Sequence, residues 1–304
     1  MGTTFTPSTA LQTAVLFLVF NRPDTTTRVF EAIRRAKPPR LYVASDGARL
    51  NQQGEQELVE TVRQIATSVD WPCEVNTLFR KENLGCKQAV SEGISWFFKQ
   101  EDQGIILEDD CLPSQSFFWF CERMLNEFKS NSVVMHIGGH TPKHLQGNSF
   151  SISFTRATHI WGWATWANRW TQYTADLPVN DEELNTLTNY EYFVKKQATK
   201  ARVETLKKIM RGEIDTWDYQ WNFTVRTSSG LGIRPGINLV ENIGHGHKDA
   251  AHTKSKQVQH KASEININDI EIPKWILPNR DLENKFELGM VYGLHRKLFG
   301  RVFK

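Results

Sequence analysis

Apolar runs alternate with amphipathic stretches through the first half of the chain. Residues 14–20, 41–44, 73–79 and 104–107 have the composition of buried strands. The stretches between and after them place apolar residues at helical spacing, over residues 25–36, 55–69, 86–99 and about 114–128. Repeated strand–helix alternation predicts an α/β fold with a mostly parallel central sheet and helices on both faces.

The pattern changes after the strand-like run 133–137. Residues 149–155 alternate like an antiparallel strand, whereas residues 159–166 are aromatic and interrupted by glycine. Beyond them we expect helices within 181–211 and 217–226, then a strand and turn over 230–240. A loop rich in histidine and glycine follows over residues 241–252.

Composition narrows the class of protein. The 304 residues are 39% hydrophobic and 23% charged, which is typical of a globular protein. A net charge of +3 is too small to indicate nucleic acid as a partner. The four cysteines lack CxxC spacing, so we interpret them as free thiols in a reducing compartment. No early apolar run is long enough for a signal peptide or a membrane span, so we expect a cytoplasmic protein.

Three consecutive carboxylates, Glu108, Asp109 and Asp110, directly follow the apolar run 104–107. A buried strand cannot continue through three acids, so they should lie at its carboxyl end, where open α/β sheets bind ligands. In extended chain, Glu108 and Asp110 would point one way and Asp109 the other. A divalent cation with bound phosphates would relieve their repulsion. The alternative is an acidic loop that only ends a strand.

Polar residues also end the first two strands. Asn21 and Arg22 follow the first, and Asp46 follows the second. Parallel strands end at one edge, so these groups and the acids should outline a nucleotide-sized crevice. Arg22 would face a phosphate and Asp46 would accept from a nucleobase N–H. A helix start with anion-binding potential carries Asn83, Gly85 and Lys87. Neither GxGxxG nor a Walker lysine loop is present.

These segments, in this order, resemble the sugar-nucleotide-binding half of a GT-A glycosyltransferase. Leu18-Val19-Phe20-Asn21-Arg22-Pro23 resembles its first strand, and Ser45-Asp46-Gly47 its base-contacting second strand. Leu107-Glu108-Asp109-Asp110 resembles its DxD motif in the Glu-Asp-Asp form. That form is similar to the one in N-acetylglucosaminyltransferase I and in bacterial family-2-like transferases, some of them labelled haemolysin-like.

The resemblance implies roles and a division of the chain. Asp110 would hold Mn²⁺ (or Mg²⁺) against the donor diphosphate, and Glu108 and Asp109 would reach the ribose or donor sugar. Residues 1–140 would bind the nucleotide sugar, and 141–260 would form the acceptor-binding half of the same domain. Residues 261–304 would be a polar-to-basic tail. The implied activity is inverting transfer of a hexosyl or N-acetylhexosaminyl group, with a UDP-sugar as donor and a glycan or other hydroxyl as acceptor, as in polysaccharide biosynthesis.

A fainter resemblance covers Trp217-Asp218-Tyr219-Gln220-Trp221, where the related enzyme has its general base, although this chain has an extra residue before the second Trp. Asp218 is therefore the candidate base, since inverting transfer needs one carboxylate to take the acceptor proton. The alternative is a solvent-facing helix residue. His247 is a candidate metal or phosphate contact, or a structural loop histidine. Trp163 is a candidate platform for a sugar face, or a core residue.

Two other functions remain open. A sugar-nucleotide nucleotidyltransferase would share the sheet, but it would need a basic, glycine-rich loop after the first strand. A membrane-active, haemolysin-like protein would need long amphipathic segments, and only residues 289–304 qualify. That basic and apolar segment is also a candidate for peripheral contact with the inner face of an anionic membrane. A surface helix packed on the domain is its alternative.

Overall fold

The apolar runs form strands in the computed structural model, which describes residues 5–146, 151–187, 195–244 and 261–287. The strands are β1 (Val15–Val19), β2 (Arg40–Ser45), β3 (Glu74–Phe79), β4 (Gln103–Glu108), β5 (Cys111–Pro113), β6 (Val134–Gly138), β7 (Ile152–Thr155), β8 (Trp163–Trp166), β9 (Leu231–Pro235) and β10 (Val240–Asn242). All except β5 and β10 form one eight-stranded sheet, and those two pair with each other.

The sheet is mixed but mostly parallel, in the order β3-β2-β1-β4-β8-β6-β9-β7. β8 runs antiparallel to both β4 and β6, so β4 and β6 share one direction. β9 is parallel to β6, whereas β7 is antiparallel to β9. The carboxyl ends of β1, β2, β4, β6 and β9 therefore meet at one edge. The predicted α/β class, with a mostly parallel central sheet, is confirmed.

The helices are α1 (Pro23–Ala36), α2 (Glu55–Thr67), α3 (Gly85–Phe98), α4 (Gln115–Glu127), α5 (Ala167–Trp170), α6 (Asp181–Thr186), α7 (Lys196–Met210) and α8 (Asp218–Thr227). α1 begins two residues before the predicted start, because the fixed φ of Pro23 suits the first helical position. Arg22 takes the N-cap position and Asp24 lies in the first turn.

Helices cover both faces of the sheet. In β1, Val15, Phe17 and Val19 pack toward α1, α2 and α4, whereas Leu16 and Leu18 pack toward α3, α5 and α8. This alternation explains why every residue of β1 is buried and why the strand shows no polar position. Leu184, Val203 and Leu206 from α6 and α7 form a smaller core with Phe223 of α8.

Residues 163–166, part of the aromatic stretch interrupted by glycine, form the antiparallel strand β8 in the middle of the sheet. Trp163 is fully buried, with ring centroids 5.7 Å from Trp217 and 5.1 Å from His136. The prediction that Trp163 stacks on a sugar is wrong, because helices cover both faces of this strand. Trp166 is also buried, and Trp161 is partly exposed.

The described part of the third predicted segment, 261–287, packs on the domain. The Glu264 carboxylate accepts the backbone N–H groups of Gln115 (3.0 Å) and Ser116 (2.8 Å) at the start of α4. Residues 280–287 are helical, and Leu282 is buried there. Residues 289–304, the candidate membrane contact, lie outside the described residues. None of the helices in the described ranges has the length and apolar character needed to cross a membrane.

Candidate active site

The three strand ends that the sequence predicted to meet do lie side by side. Leu18 of β1 is in register with Glu108 of β4, and Val19 of β1 is in register with Ser45 of β2. Both pairings are parallel, so the residues after each strand leave the sheet at the same edge. The edge thus gathers polar side chains from three separate segments of the chain.

Arg22 connects the first segment to the acids. Its Nη1 donates to Asp110 Oδ2 at 2.8 Å, and its Nη2 and Nε donate to the two oxygens of Asp109. The chain turns at Asp109 and Asp110 instead of continuing as a strand, which is why both acids face one guanidinium. The expectation that Asp109 points away from Asp110 is therefore wrong. We name Arg22, Glu108, Asp109 and Asp110 the acid cluster.

Burial and the neighbouring charges together shift the pKa values of the acid cluster. Burial lowers the pKa of Arg22, but the charges of Asp109 and Asp110 more than offset it, so the pKa is raised overall. Burial raises the pKa of Glu108 to about 8, and the charges of Asp110 and Asp109 add to that effect. Oε1 of Glu108 is enclosed, with no hydrogen-bond partner among the described residues. The cluster thus has more negative charge than Arg22 alone neutralises.

A strand far along the chain completes the cluster. β10 pairs antiparallel with β5, which brings Asn242 opposite Cys111. Asn242 Nδ2 donates to Asp110 Oδ1 (3.3 Å), and Asn242 Oδ1 accepts the N–H of Gly244 (3.0 Å). A Cβ on Gly244 would lie 2.3 Å from Asp110 Oδ2, so only glycine permits this close approach. The sequence analysis missed both residues, and His247, three positions later, lies outside the described residues.

Asp46 lies in this edge, but its carboxylate already has partners. Its two oxygens accept the N–H groups of Gly47, Leu84 and Gly85 at 3.0–3.1 Å. Burial raises the pKa of Asp46, and these backbone hydrogen bonds partly offset the rise. Asn83 Nδ2 in turn donates to the Gly47 carbonyl at 2.8 Å. Asp46 and Asn83 thus hold the loop before α3 against the end of β2.

The start of α3, expected to bind a phosphate, instead binds an internal carboxylate. Asp215 accepts the backbone N–H groups of Cys86 (2.8 Å) and Lys87 (3.0 Å), while Lys87 Nζ pairs with Asp176 (2.6 Å). Gly85 has φ +80°, and a Cβ there would lie 2.8 Å from Asp215. In this conformation the helix start is closed to an outside anion, and the negative charge stabilises its N-terminus.

Asp218 is the first residue of α8, and its Oδ1 accepts a hydrogen bond from Thr216 Oγ1. Asp215, three residues earlier, accepts from Cys86 beside the bond from Gly85 to Asp46, which places the start of α8 at this sheet edge. The charge of Asp218 adds, behind burial, to the raised pKa values of Glu108, Cys86 and Tyr173. Trp217 and Trp221 beside it are buried in the core. These two aromatic residues therefore fix the start of α8 and do not form an open platform.

The oxygen atoms of the acid cluster fit a metal ion that also binds a substrate group. Within the described ranges, no three His, Cys, Asp or Glu side chains are grouped as metal ligands. However, Mg²⁺-type sites commonly use one or two carboxylates plus substrate phosphates. Asp110 and the unpartnered Oε1 of Glu108 offer oxygen atoms of that kind. The residues present thus fit a divalent ion that takes its remaining ligands from a diphosphate, and they do not fit an all-protein cage.

A second cleft, of about 370 Å³, lies at the amino edge of the sheet. Two of its carboxylates are already paired: Glu122 accepts the N–H groups of Gln12 and Thr13, and Glu101 accepts from Arg40 and Tyr42. It lies at the edge opposite the acid cluster, where α/β sheets do not usually bind ligands. The carboxyl edge is therefore the candidate site.

The chain is similar to several solved structures, all at low sequence identity. No protein-family model matches the chain, and no curated protein matches it significantly. Among solved structures, the glycosyltransferase GlyE of Streptococcus pneumoniae is similar at 9% identity and TM-score 0.35, over 73% of this chain and 45% of GlyE. Mouse xyloside xylosyltransferase 1 matches at 10% identity and TM-score 0.35, over 71% of this chain and 81% of its own.

An apo UDP-glucose pyrophosphorylase is also similar, at 8% identity and TM-score 0.41, over 77% of this chain and 94% of the pyrophosphorylase. Transferases and a pyrophosphorylase thus match with comparable scores. Likeness at this level does not select between the two reactions. Any functional conclusion must come from the residues at the carboxyl edge of the sheet.

Proposed function

We propose that this protein is a metal-dependent, inverting GT-A glycosyltransferase. It would move a hexosyl or N-acetylhexosaminyl group from a nucleoside diphosphate sugar, with UDP the expected nucleotide, to a hydroxyl acceptor. One observation carries the proposal: the acid cluster lies at the carboxyl edge of a mostly parallel sheet, and Asp215 bonds the start of α8 to that same edge. That arrangement supplies the two things the reaction needs, a place for a diphosphate and a separate carboxylate.

The donor half of the reaction belongs to the acid cluster. Asp110 would hold Mn²⁺ or Mg²⁺ against the diphosphate, with Asn242 fixing its orientation and His247 as a further candidate ligand. A bound divalent ion supplies charge stabilisation for the leaving diphosphate. Arg22 already lies 2.8 Å from Asp110 and would also face the phosphate oxygens. Glu108 and Asp109 would bind the ribose or the donor sugar.

The acceptor half belongs to Asp218. Thr216 holds one carboxylate oxygen, and no other hydrogen bond engages this side chain in the described structure. The second oxygen can take the proton of an acceptor hydroxyl as that hydroxyl attacks the anomeric carbon. Attack from the face opposite the leaving diphosphate inverts the anomeric configuration. Asp46 and Asn83 remain candidates for contact with the nucleotide through the loop that they position.

The decisive test measures donor binding with and without Mn²⁺ by calorimetry, after a screen of nucleotide sugars for Mn²⁺-dependent thermal stabilisation. Asp110→Ala should weaken Mn²⁺-dependent binding more than about 100-fold, since outer-shell partners of a metal alone typically contribute about 10–100-fold. The matched control is Asp70→Ala, whose partner Arg34 is also a surface residue. Unchanged Mn²⁺-dependent binding in Asp110→Ala would falsify the metal assignment.

A further inference from the structure

A second polar cluster lies at the same edge of the sheet, beyond the acid cluster. Arg234 is near the carboxyl end of β9, and His140 follows the end of β6. His159 precedes β8, whose amino end reaches this edge because β8 runs antiparallel to β4. Three segments that are distant in sequence thus place cationic or titratable side chains together. None of them has a role in the proposed donor site.

Arg234 is 3% exposed, yet both of its Nη atoms have no hydrogen-bond partner within the described residues. Glu283 is close enough to raise the pKa of Arg234, but burial outweighs it and lowers that pKa to about 10. The Glu283 carboxylate is already bound by three N–H groups of Arg156, at 2.7–3.1 Å. The ion pair next to Arg234 therefore leaves both of its Nη atoms without an acceptor among the described residues.

His159 presents a second unpartnered group. Its Nε2 is enclosed and has no hydrogen-bond partner in the described ranges, while its carbonyl contacts His136 Nε2 at 3.1 Å. Burial holds the pKa of His159 well below its ordinary value, and the charge of Arg234 lowers it further. The backbone places the two residues close together: a Cβ on Gly138 would lie 3.3 Å from the carbonyl oxygen of His159 and 3.7 Å from that of Ile233, the residue before Arg234. As a whole residue His159 is only partly buried, so its segment reaches the protein surface.

A buried guanidinium without an acceptor is costly, and nearly all such groups in proteins are paired. Arg169 differs from Arg234: it is 4% exposed and its Nε has no partner among the described residues, but its Nη2 donates to the carbonyls of Lys129 (2.9 Å) and Asn131 (3.1 Å). Two free Nη donors beside an imidazole nitrogen match a group with two or more acceptor oxygens. Phosphate and carboxylate are the groups of this kind.

We propose that Arg234 and His159 form an anion pocket that receives a phosphate or carboxylate group of the acceptor substrate. The assignment to the acceptor rests on the proposed function, whereas the pocket itself does not. β9 is three strands away from β4 in the sheet. At the usual strand spacing this separates Arg234 from the acid cluster by roughly 14 Å. One diphosphate cannot span that distance, so the anion belongs to the other substrate.

The first experiment compares thermal stability in anion-free buffer. Arg234→Met should melt no lower than the wild type, because the substitution removes an unsatisfied charge. Arg169→Met should melt lower, because it leaves carbonyl groups that Arg169 binds without a hydrogen-bond donor. A purely structural Arg234 predicts the opposite result for Arg234→Met. A fall in its melting temperature comparable to that of Arg169→Met would overturn the pocket.

The second experiment titrates inorganic phosphate, and separately acetate, into metal-free protein and follows the His159 ring signals by NMR. His159→Gln assigns the signals. We expect one anion to shift them in the wild type and in Asp110→Asn, with binding at least roughly tenfold weaker in Arg234→Met, the loss of one charge-assisted contact. A response to phosphate or to acetate identifies the anion.

Two results would reject the pocket: no response to either anion, or equal binding by wild type and Arg234→Met. Neither result depends on transfer activity. Conversely, if Asp110→Ala leaves donor binding intact, the proposed function fails while the anion titration still reports on Arg234. The two ideas can therefore fail separately.

Discussion

The acid cluster and the anion pocket lie on one edge of one sheet but handle charge in opposite ways. In the acid cluster, Arg22 from the end of β1 neutralises Asp109 and Asp110 from the end of β4. In the anion pocket, Arg234 has no such partner among the described residues, and the neighbouring Glu283 is bound by Arg156. Charges that pair within the chain stabilise the local structure without a ligand. An unpaired buried charge instead indicates a partner from outside the chain.

The largest expected effect is on turnover, and it tests whether the carboxyl edge of the sheet is the catalytic site. Asp218→Asn keeps the size of the side chain but cannot take a proton, so kcat should fall by about 10²–10⁴ while donor binding stays normal. Asp176→Asn, a change at an exposed acid that pairs with Lys87, is the matched control. Initial rates with the identified donor measure both. Near-normal turnover in Asp218→Asn would remove this residue as the base.

The anomeric configuration of the product gives a second test of Asp218 as the base. Proton NMR of the wild-type product reports its anomeric configuration relative to the donor. A retained configuration would reject the single-base reaction, whatever the rate of Asp218→Asn, because direct attack by the deprotonated hydroxyl inverts the centre.

The next prediction directly compares the paired Arg22 with the unpaired Arg234. Arg22→Met should destabilise the protein by about 3–5 kcal/mol, because it leaves the buried carboxylates of Asp109 and Asp110 without a partner. Urea unfolding in metal-free buffer measures the change. Arg234→Met, by contrast, should cost nothing. Equal losses in the two variants would mean that both arginines are structural, and the contrast between the two clusters would disappear.

The acid cluster was predictable because its parts are local. Three acids follow one apolar run, and the parallel alternation placed the end of β1 beside them, which the register of Leu18 with Glu108 confirms. The contacts of Asn242 and Gly244 with Asp110 depend on pairing between β5 and β10, strands separated by more than 120 residues. No local pattern carries that information.

The anion pocket was not predictable, for a related reason. Arg234 lies in an ordinary strand, and His159 lies in the aromatic stretch that glycine interrupts. Only the three-dimensional structure shows that Glu283 pairs with Arg156 and leaves Arg234 unpartnered. Trp163 illustrates the converse error: its composition suited a sugar platform, but the antiparallel strand β8 places it between two covered faces.

Glu108 gives a pH-dependent prediction of intermediate size. Its pKa is raised from an ordinary value of 4.5 to about 8, so the folded state keeps a proton that the unfolded chain loses between these values. The contribution of Glu108 to stability therefore falls as the pH rises from about 5 to 8, by an amount on the order of 3 kcal/mol. Glu108→Gln should flatten that decline.

Urea unfolding of both proteins at several pH values, with a chelator present, measures this difference. Glu92→Gln is the control, since that surface carboxylate pairs with Arg80 and its pKa is lowered. Parallel stability curves for wild type and Glu108→Gln across this pH range would contradict the crowding of charge in the acid cluster.

The smallest expected effect is on stability and concerns the Asp215 carboxylate, an internal anion at the start of α3. Asp215 fills the start of α3 with a carboxylate, as an outside anion is proposed to fill the pocket at Arg234. Asp215→Ala should cost about 1 kcal/mol, the usual contribution of a charged cap at a helix N-terminus. Inorganic phosphate should then restore part of the lost stability, because the vacated N–H groups of Cys86 and Lys87 suit an anion. Melting curves with and without phosphate test both statements. If Asp215→Ala melts like the wild type, the Asp215 contacts contribute nothing, and the start of α3 becomes a second candidate for the donor phosphates.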